Sequence, residues 1–123
     1  MTCSIMVVDD DEPILEMMGI LLQKLGYEPR LCADGLAGLR EVKDNLPSLI
    51  LLDVMMTPIN GWEFLMRLRA GEKTRRIPVL LFSAHPSVEE KVAQLNDPYL
   101  SVLLKPVSLA ELDKGIHRFL PPR

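Results

Sequence analysis

The most regular feature of the chain is a set of short aliphatic runs, separated by longer stretches in which apolar residues recur at helical spacing. Four of these runs, at 7–8, 49–52, 79–82 and 102–104, end directly in reactive polar residues: Asp9-Asp10, Asp53, Ser83 and Lys105. Continuous aliphatic runs of this length are typical of strands that are buried on both faces of a parallel sheet. The pattern therefore predicts an α/β fold.

Strand-like and helix-like segments alternate five times, with no internal repeat and no low-complexity segment. Strands are predicted at 5–8, 27–32, 49–53, 78–82 and 100–104, and helices at 13–25, 36–45, 62–70, 88–95 and 108–120. Ser87 is the predicted N-cap of the fourth helix. This alternation predicts a three-layer α/β/α sandwich with a five-stranded parallel sheet.

The sequence alone does not order these strands. In the flavodoxin-like order 2-1-3-4-5, strands one and three would lie side by side at the switch point. Asp9, Asp10 and Asp53 would then meet at the carboxyl edge of the sheet, which is where ligands bind in such folds.

The length of 123 residues fits one domain, predicted at 1–120, with 121–123 as a tail or the start of a linker. The net charge of -3 gives no basic surface for direct binding to nucleic acid. The first residues lack a basic leader, and no apolar run is long enough for a signal core or a membrane span. The expected protein is soluble and cytoplasmic, with no contact to a membrane.

In combination, these residues resemble the receiver domain of two-component response regulators, the CheY-like superfamily, over essentially the whole chain. The matching motifs are Asp9-Asp10 after the first strand, Asp53 closing the third, Gly61 eight residues later, Ser83-Ala84 after the fourth strand and Lys105-Pro106 after the fifth. The resemblance implies the strand order 2-1-3-4-5 of the receiver fold. The implied function is a phosphorelay receiver that accepts a phosphoryl group from a sensor histidine kinase or phosphotransfer protein. It would catalyse its own phosphorylation and dephosphorylation without being a turnover enzyme in the usual sense.

The resemblance also implies a role for each site residue. Asp53 would be the phosphoacceptor, and Asp10, Asp53 and the Met55 carbonyl would bind Mg²⁺ or Mn²⁺, with Asp9 holding the ion through water. Ser83 would bond a phosphoryl oxygen, and Lys105, aimed by a cis peptide before Pro106, would pair first with Asp53 and then with the phosphoryl group. The output surface would be the fourth helix, fifth strand and fifth helix, and homodimers are compatible with the resemblance.

General chemistry supports these roles independently of the resemblance. Closely packed carboxylates raise one another's pKa, so they do not all ionise near neutral pH without a compensating cation. Mg²⁺ prefers oxygen ligands and is commonly held by one or two carboxylates. Charge that builds up on a transferring phosphoryl group needs a metal ion or a lysine to neutralise it.

The sequence departs from the usual family pattern at several positions. The loop after Asp53 usually reads Met-Pro-x-Met-Asp-Gly, whereas here the proline stands one place later, at Pro58. Ser83 replaces the commoner Thr, and Val102 stands where many receivers carry a Tyr or Phe that swings inward on activation. Met55 and His85 occupy positions that influence access of water to the acyl phosphate, so we expect an altered dephosphorylation rate.

Other classes fit less well. A phosphatase that forms an aspartyl phosphate typically needs a second Asp two residues after the nucleophile, where this chain has Met55. A nucleotide or flavin binder needs a phosphate-cradling loop after the first strand, and the acidic run there would repel phosphate. A degenerate receiver that acts only as a phosphorylation-independent docking module stays open, as do the cognate kinase and the output partner.

Overall fold

The computed structural model describes residues 3–121, which form five strands and five helices in strict alternation. The elements are β1 Ser4–Val8, α1 Glu12–Lys24, β2 Glu28–Cys32, α2 Gly35–Asp44, β3 Leu49–Asp53, α3 Gly61–Ala70, β4 Val79–Ser83, α4 Ser87–Leu95, β5 Leu100–Leu104 and α5 Leu109–His117. Each predicted element is present, and all strand ends agree with the predictions to within one residue. None of the helices within 3–121 has the length and apolar character that a bilayer crossing requires.

The five strands form one parallel sheet in the order β2-β1-β3-β4-β5. This confirms the predicted flavodoxin-like, receiver-type sandwich. β1 and β3 are neighbours, and Val8 lies opposite Leu52 in their register. The residues that follow these two positions, Asp9 and Asp53, therefore leave the sheet at the same edge.

Two hydrophobic cores cover the two faces of the sheet. One core packs α2, α3 and α4 against the sheet and includes Val42, Phe64 and Val88. The other packs α1 and α5 against the opposite face and includes Leu22 and Ile116. Because β1 and β3 are fully covered on both sides, they hold the acidic residues at their ends on a rigid frame.

Four of the five helices begin at a side-chain cap. The cap oxygens of Asp11, Asp34, Asn60 and Ser108 accept a backbone N–H three residues later. α4 is the exception, and the prediction of Ser87 as its cap is wrong. Pro86 holds the cap position without a side-chain hydrogen bond, and the Val88 N–H instead donates to the His85 carbonyl at 3.1 Å.

α5 also ends earlier than predicted. The helix stops at His117, and the N–H groups of Arg118 and Phe119 donate to carbonyls three residues back. The Leu120 N–H still donates to the Ile116 carbonyl four residues back, at 2.9 Å, but Pro121 disfavours helical backbone at Leu120, so the helix does not extend further. Of the predicted tail at 121–123, residues 122–123 lie outside the described part of the chain.

Gly61 fixes how the loop after β3 returns to the site. A Cβ atom at this position would lie 2.5 Å from the Asp53 carbonyl oxygen and 2.8 Å from the Val54 Cα. Both neighbours are backbone atoms, so they have little freedom to move away. Only glycine allows α3 to begin directly against the end of β3, with the Gly61 N–H donating to the Val54 carbonyl at 2.9 Å.

Candidate functional site

The carboxyl edge of the sheet forms a single cleft of about 270 Å³. Its lining includes every predicted site residue: Asp9, Asp10, Asp53, Met55, Ser83, His85 and Lys105. These residues follow or end four different strands, and the parallel arrangement brings all of the strand ends to one edge. A cleft of this size suits a phosphoryl group and an ion better than a nucleotide.

Three carboxylates dominate the electrostatics of the cleft. One carboxylate oxygen from each of Asp9, Asp10 and Asp53 lies within 4.8 Å of the others. Asp9 and Asp53 are buried, with exposed fractions of 1% and 5%, whereas Asp10 is exposed to solvent. Two buried carboxylates and a third beside them form a strong local concentration of negative charge.

Asp9 is the carboxylate on which this concentration of negative charge has the clearest unfavourable effect. Its Oδ1 accepts the Asp11 N–H at 3.0 Å, while its buried Oδ2 accepts no hydrogen bond from any residue within 3–121. Burial raises the pKa of Asp9 from 3.8 to about 6, the Asp11 hydrogen bond opposes the rise, and the negative charge of Asp53 adds to it. A buried oxygen without a donor is unfavourable unless a cation or water meets it.

This donor set fits a divalent cation. The cluster offers only carboxylate oxygens, which are the ligands that Mg²⁺ and Mn²⁺ prefer, and it has an exposed side through which ion-bound water can remain. The orphaned Oδ2 of Asp9 supports the fit, because an ion or its water would supply the missing partner.

Lys105 supplies a positive charge to the lining of the cleft. Its Nζ lies 3.4 Å from Asp53 Oδ1 and 5.0 Å from the centre of the Phe82 ring. The Lys105 N–H donates to the Ser83 carbonyl at 2.8 Å, which ties the ends of β4 and β5 together. The peptide bond between Lys105 and Pro106 is cis, as the resemblance implies.

Ser83 and its neighbours complete the cleft. The Ser83 side chain is buried, and its Oγ accepts the His85 N–H at 3.1 Å, which leaves the hydroxyl proton available to another acceptor. The side chains of Met55 and His85 are exposed at the entrance of the cleft.

One contact in the cleft was not predicted from the sequence. Asp10 Oδ2 accepts the backbone N–H of Thr57, from the loop between β3 and α3, at 3.3 Å. The donor is a main-chain group, so the identity of the side chain at position 57 gives no sign of it. The position of Pro58 was the available signal, because a proline at 57 would have no N–H to donate.

The fold and the arrangement of the site residues are those of one class of protein, and comparisons with known families identify the same class. The family model described as response regulator receiver domain matches residues 5–117. The chain belongs to this family. Phosphate regulon transcriptional regulatory protein PhoB of Escherichia coli is 31% identical over 121 residues, which cover 96% of this chain and 53% of PhoB. The chain thus spans about half the length of the curated relatives it matches.

Solved structures give the same result. The chemotaxis protein CheY4 of Vibrio cholerae is 28% identical with a TM-score of 0.89, and the match covers 98% of this chain and 100% of CheY4. The receiver domain of sensor histidine kinase PA1611 from Pseudomonas aeruginosa, solved with a magnesium ion coordinated in its active-site cleft, is 26% identical. Its TM-score is 0.86, and the match covers 97% of this chain and 98% of that domain.

The raised pKa of Asp9 predicts a pH-dependent stability. The pKa rises from 3.8 to about 6 on folding, so the folded state holds this proton more tightly and loses stability as pH rises through that interval. The full loss is about 2 to 3 kcal/mol in the free energy of unfolding. In EDTA near pH 7.5, Asp9→Asn should therefore be more stable than the parent by about 1 to 3 kcal/mol, and nearly equal to it near pH 4.

Urea unfolding of both proteins at the two pH values measures this difference. Saturating Mg²⁺ should stabilise the parent more than the variant, because the variant lacks one of the three carboxylates of the cluster and should bind the ion more weakly. An Asp9→Asn protein that is less stable than the parent at pH 7.5 in EDTA would contradict the electrostatic account.

Proposed function

We propose that this domain accepts a phosphoryl group on Asp53 from a sensor histidine kinase or phosphotransfer protein, and signals by a change of conformation. The observation that carries the proposal is the environment of Asp53. Its carboxylate is buried, lies 3.4 Å from the Lys105 ammonium, and shares a cleft with the Ser83 hydroxyl and two further carboxylates. The family membership supports the same function.

The proposed transfer is a displacement at phosphorus. An Asp53 carboxylate oxygen forms a bond to the phosphorus of a phosphohistidine as the P–N bond breaks. The imidazole keeps that electron pair and, because its other nitrogen already carries a proton, leaves as a neutral ring. The product is an acyl phosphate. Hydrolysis reverses the modification: water attacks phosphorus, the bond to Asp53 breaks, and inorganic phosphate leaves.

The residues around Asp53 have complementary roles in this proposal. Asp10, Asp53 and the Met55 carbonyl would hold Mg²⁺ or Mn²⁺, with Asp9 acting through water, and the bound ion would neutralise charge on the phosphoryl oxygens. Lys105 is paired with Asp53 before transfer and would then pair with the phosphoryl group. Ser83 would donate its hydroxyl proton to another phosphoryl oxygen.

Phosphorylation would alter the output face through Ser83 and the end of β4. It adds about -1.5 to -2 units of charge and three strong acceptors to the cleft. If the Ser83 side chain moves towards the phosphoryl group, the hydrogen bond that its Oγ accepts from the His85 N–H would change, and His85 leads directly into α4. The proposed output surface is therefore α4, β5 and α5. Val102 in β5 is aliphatic, so an aromatic switch does not operate from that position.

The proposed domain comprises 1–120, with 121–123 as a tail or the start of a linker. We place it in the cytoplasm, where an ATP-dependent kinase would supply the phosphoryl group. PhoB is named as a transcriptional regulator, but the match covers about half of it, and the present domain has no net positive charge for binding DNA directly. Its partners would be proteins: the kinase or phosphotransfer protein, the output partner and, in a homodimer, a second copy.

The proposal predicts a metal-dependent covalent adduct. Parent protein incubated with acetyl phosphate or phosphoramidate and Mg²⁺ should gain the mass of one phosphoryl group, and EDTA should abolish the gain. Asp53→Asn should gain none, because an amide is not a competent nucleophile. Intact-mass spectrometry measures both. Asp11→Asn is the control, because it removes a carboxylate that lines the cleft but is neither the acceptor nor a proposed ligand of the ion, and asparagine can still cap α1.

Lys105→Met should also reduce the rate of adduct formation, because the side chain is of similar length but no longer supplies charge.

The outcomes separate the proposed function from its alternative. An adduct that persists in Asp53→Asn would move the acceptor to another residue. If the parent forms no adduct in the presence of Mg²⁺, the domain is a phosphorylation-independent docking module.

Met55 and His85 should set the lifetime of the adduct, because both side chains are exposed at the entrance of the cleft. After removal of the phosphoryl donor, adduct decay in Met55→Ala and His85→Ala should differ from decay in the parent by about twofold or more. Leu46→Ala is a matched control, since that exposed apolar residue lies outside the cleft. Equal decay rates in all four proteins would remove both residues from this role.

A further inference from the structure

Asp10 differs from the other two carboxylates in how it is held. It is exposed, and the only hydrogen bond that its side chain accepts within 3–121 comes from the Thr57 backbone N–H, at 3.3 Å. Asp9, by contrast, is buried, and Asp53 is buried and paired with Lys105. Without the Thr57 contact, the Asp10 carboxylate would sample several rotamers in water.

The Thr57 side chain contributes nothing visible to this contact. It is exposed and forms no hydrogen bond in the described part of the chain, so only the main-chain N–H is involved. The sequence permits this because the proline of the loop stands at 58. With the proline one place earlier, as in the usual family motif, position 57 would have no N–H.

We propose that Thr57 is a positioning residue whose backbone N–H holds the Asp10 carboxylate in the orientation from which it binds the divalent ion. The inference rests on the proposed function, because it assigns Asp10 to the metal site. A carboxylate offers about four lone-pair sites on two oxygens, so one bond from Thr57 to Oδ2 leaves Oδ1 free for the ion.

The expected effect follows from preorganisation. A ligand that is already oriented does not lose rotamer freedom when the ion binds, and the affinity is higher by the cost avoided. The hydrogen bond is long and exposed to solvent. Its effect on ion affinity should therefore lie at the lower end of the range for hydrogen bonds that orient metal ligands. We expect removal of the N–H to weaken ion binding by about 3- to 10-fold.

The test compares Mn²⁺ affinity, measured by the electron paramagnetic resonance signal of the free ion, among variants at position 57. Thr57→Ala keeps the N–H and removes the side chain, and should bind within about twofold of the parent. A protein in which the α-hydroxy analogue of threonine replaces Thr57 has an ester in place of the amide, and should bind about 3- to 10-fold more weakly. Thr57→Pro should be weakened at least as much.

Two further measurements separate positioning from a general structural effect. Urea midpoints in EDTA should be close to that of the parent for both Thr57→Ala and the ester, which keeps the backbone shape. In the Asp10→Ala background, the ester should cause no further loss of Mn²⁺ affinity, because the side chain that the N–H positions is absent.

The result that would overturn the inference is an ester protein that binds Mn²⁺ as tightly as the parent. In that case the proposed function would stand, because the parent still binds the ion. A parent that does not bind Mn²⁺, or an Asp10→Asn protein that binds it equally well, would overturn this inference together with the metal role of Asp10. A loss in Thr57→Ala equal to that in the ester would assign the effect to the side chain and also contradict the inference.

Discussion

The repulsion among three carboxylates at one edge of the sheet is the constraint on which the rest of the structure depends. Asp9 and Asp53 are buried at adjacent strand ends, and Asp10 lies beside them. Burial and the charge of Asp53 raise the pKa of Asp9 to about 6, which shows that the fold holds this arrangement at a cost. In the proposed function this concentration of charge would bind a divalent ion, and the ion would allow an anionic phosphoryl donor to approach Asp53.

The remaining parts of the fold can be understood as support for that arrangement. Residues 5–8 of β1 and all of β3 are buried between two cores, so Asp9 and Asp53 cannot readily move apart to relieve their repulsion. Gly61 permits α3 to begin against the end of β3, which folds the loop containing Thr57 back over the site. Lys105 approaches from β5, where it partly offsets the charge of Asp53 and is tied through its backbone to Ser83. The site and the proposed output face are therefore connected through the ends of β4 and β5.

Much of this was predictable because buried parallel strands leave a strong sequence signal. The runs that end in Asp53 and Ser83 predicted their strands to within one residue, and the resemblance supplied the strand order that the runs alone did not fix. Features that depend on main-chain contacts were not predictable. The start of α4 is set by a bond to the His85 carbonyl and not by Ser87, and Asp10 is held by an N–H that any residue but proline would supply. The sequence predicted that neighbouring carboxylates raise one another's pKa, but it did not indicate that burial is the largest cause of the raised pKa of Asp9.

The most direct test of the central claim is a crystal structure of the protein with Mg²⁺ and beryllofluoride, a stable mimic of a phosphoryl group on a carboxylate. The account predicts beryllium bonded to the Asp53 carboxylate, with the Ser83 hydroxyl and the Lys105 ammonium each contacting a fluoride and Mg²⁺ bound by Asp10 and Asp53. A structure in which Mg²⁺ is bound but beryllofluoride lies elsewhere, with Lys105 still paired to Asp53, would contradict it.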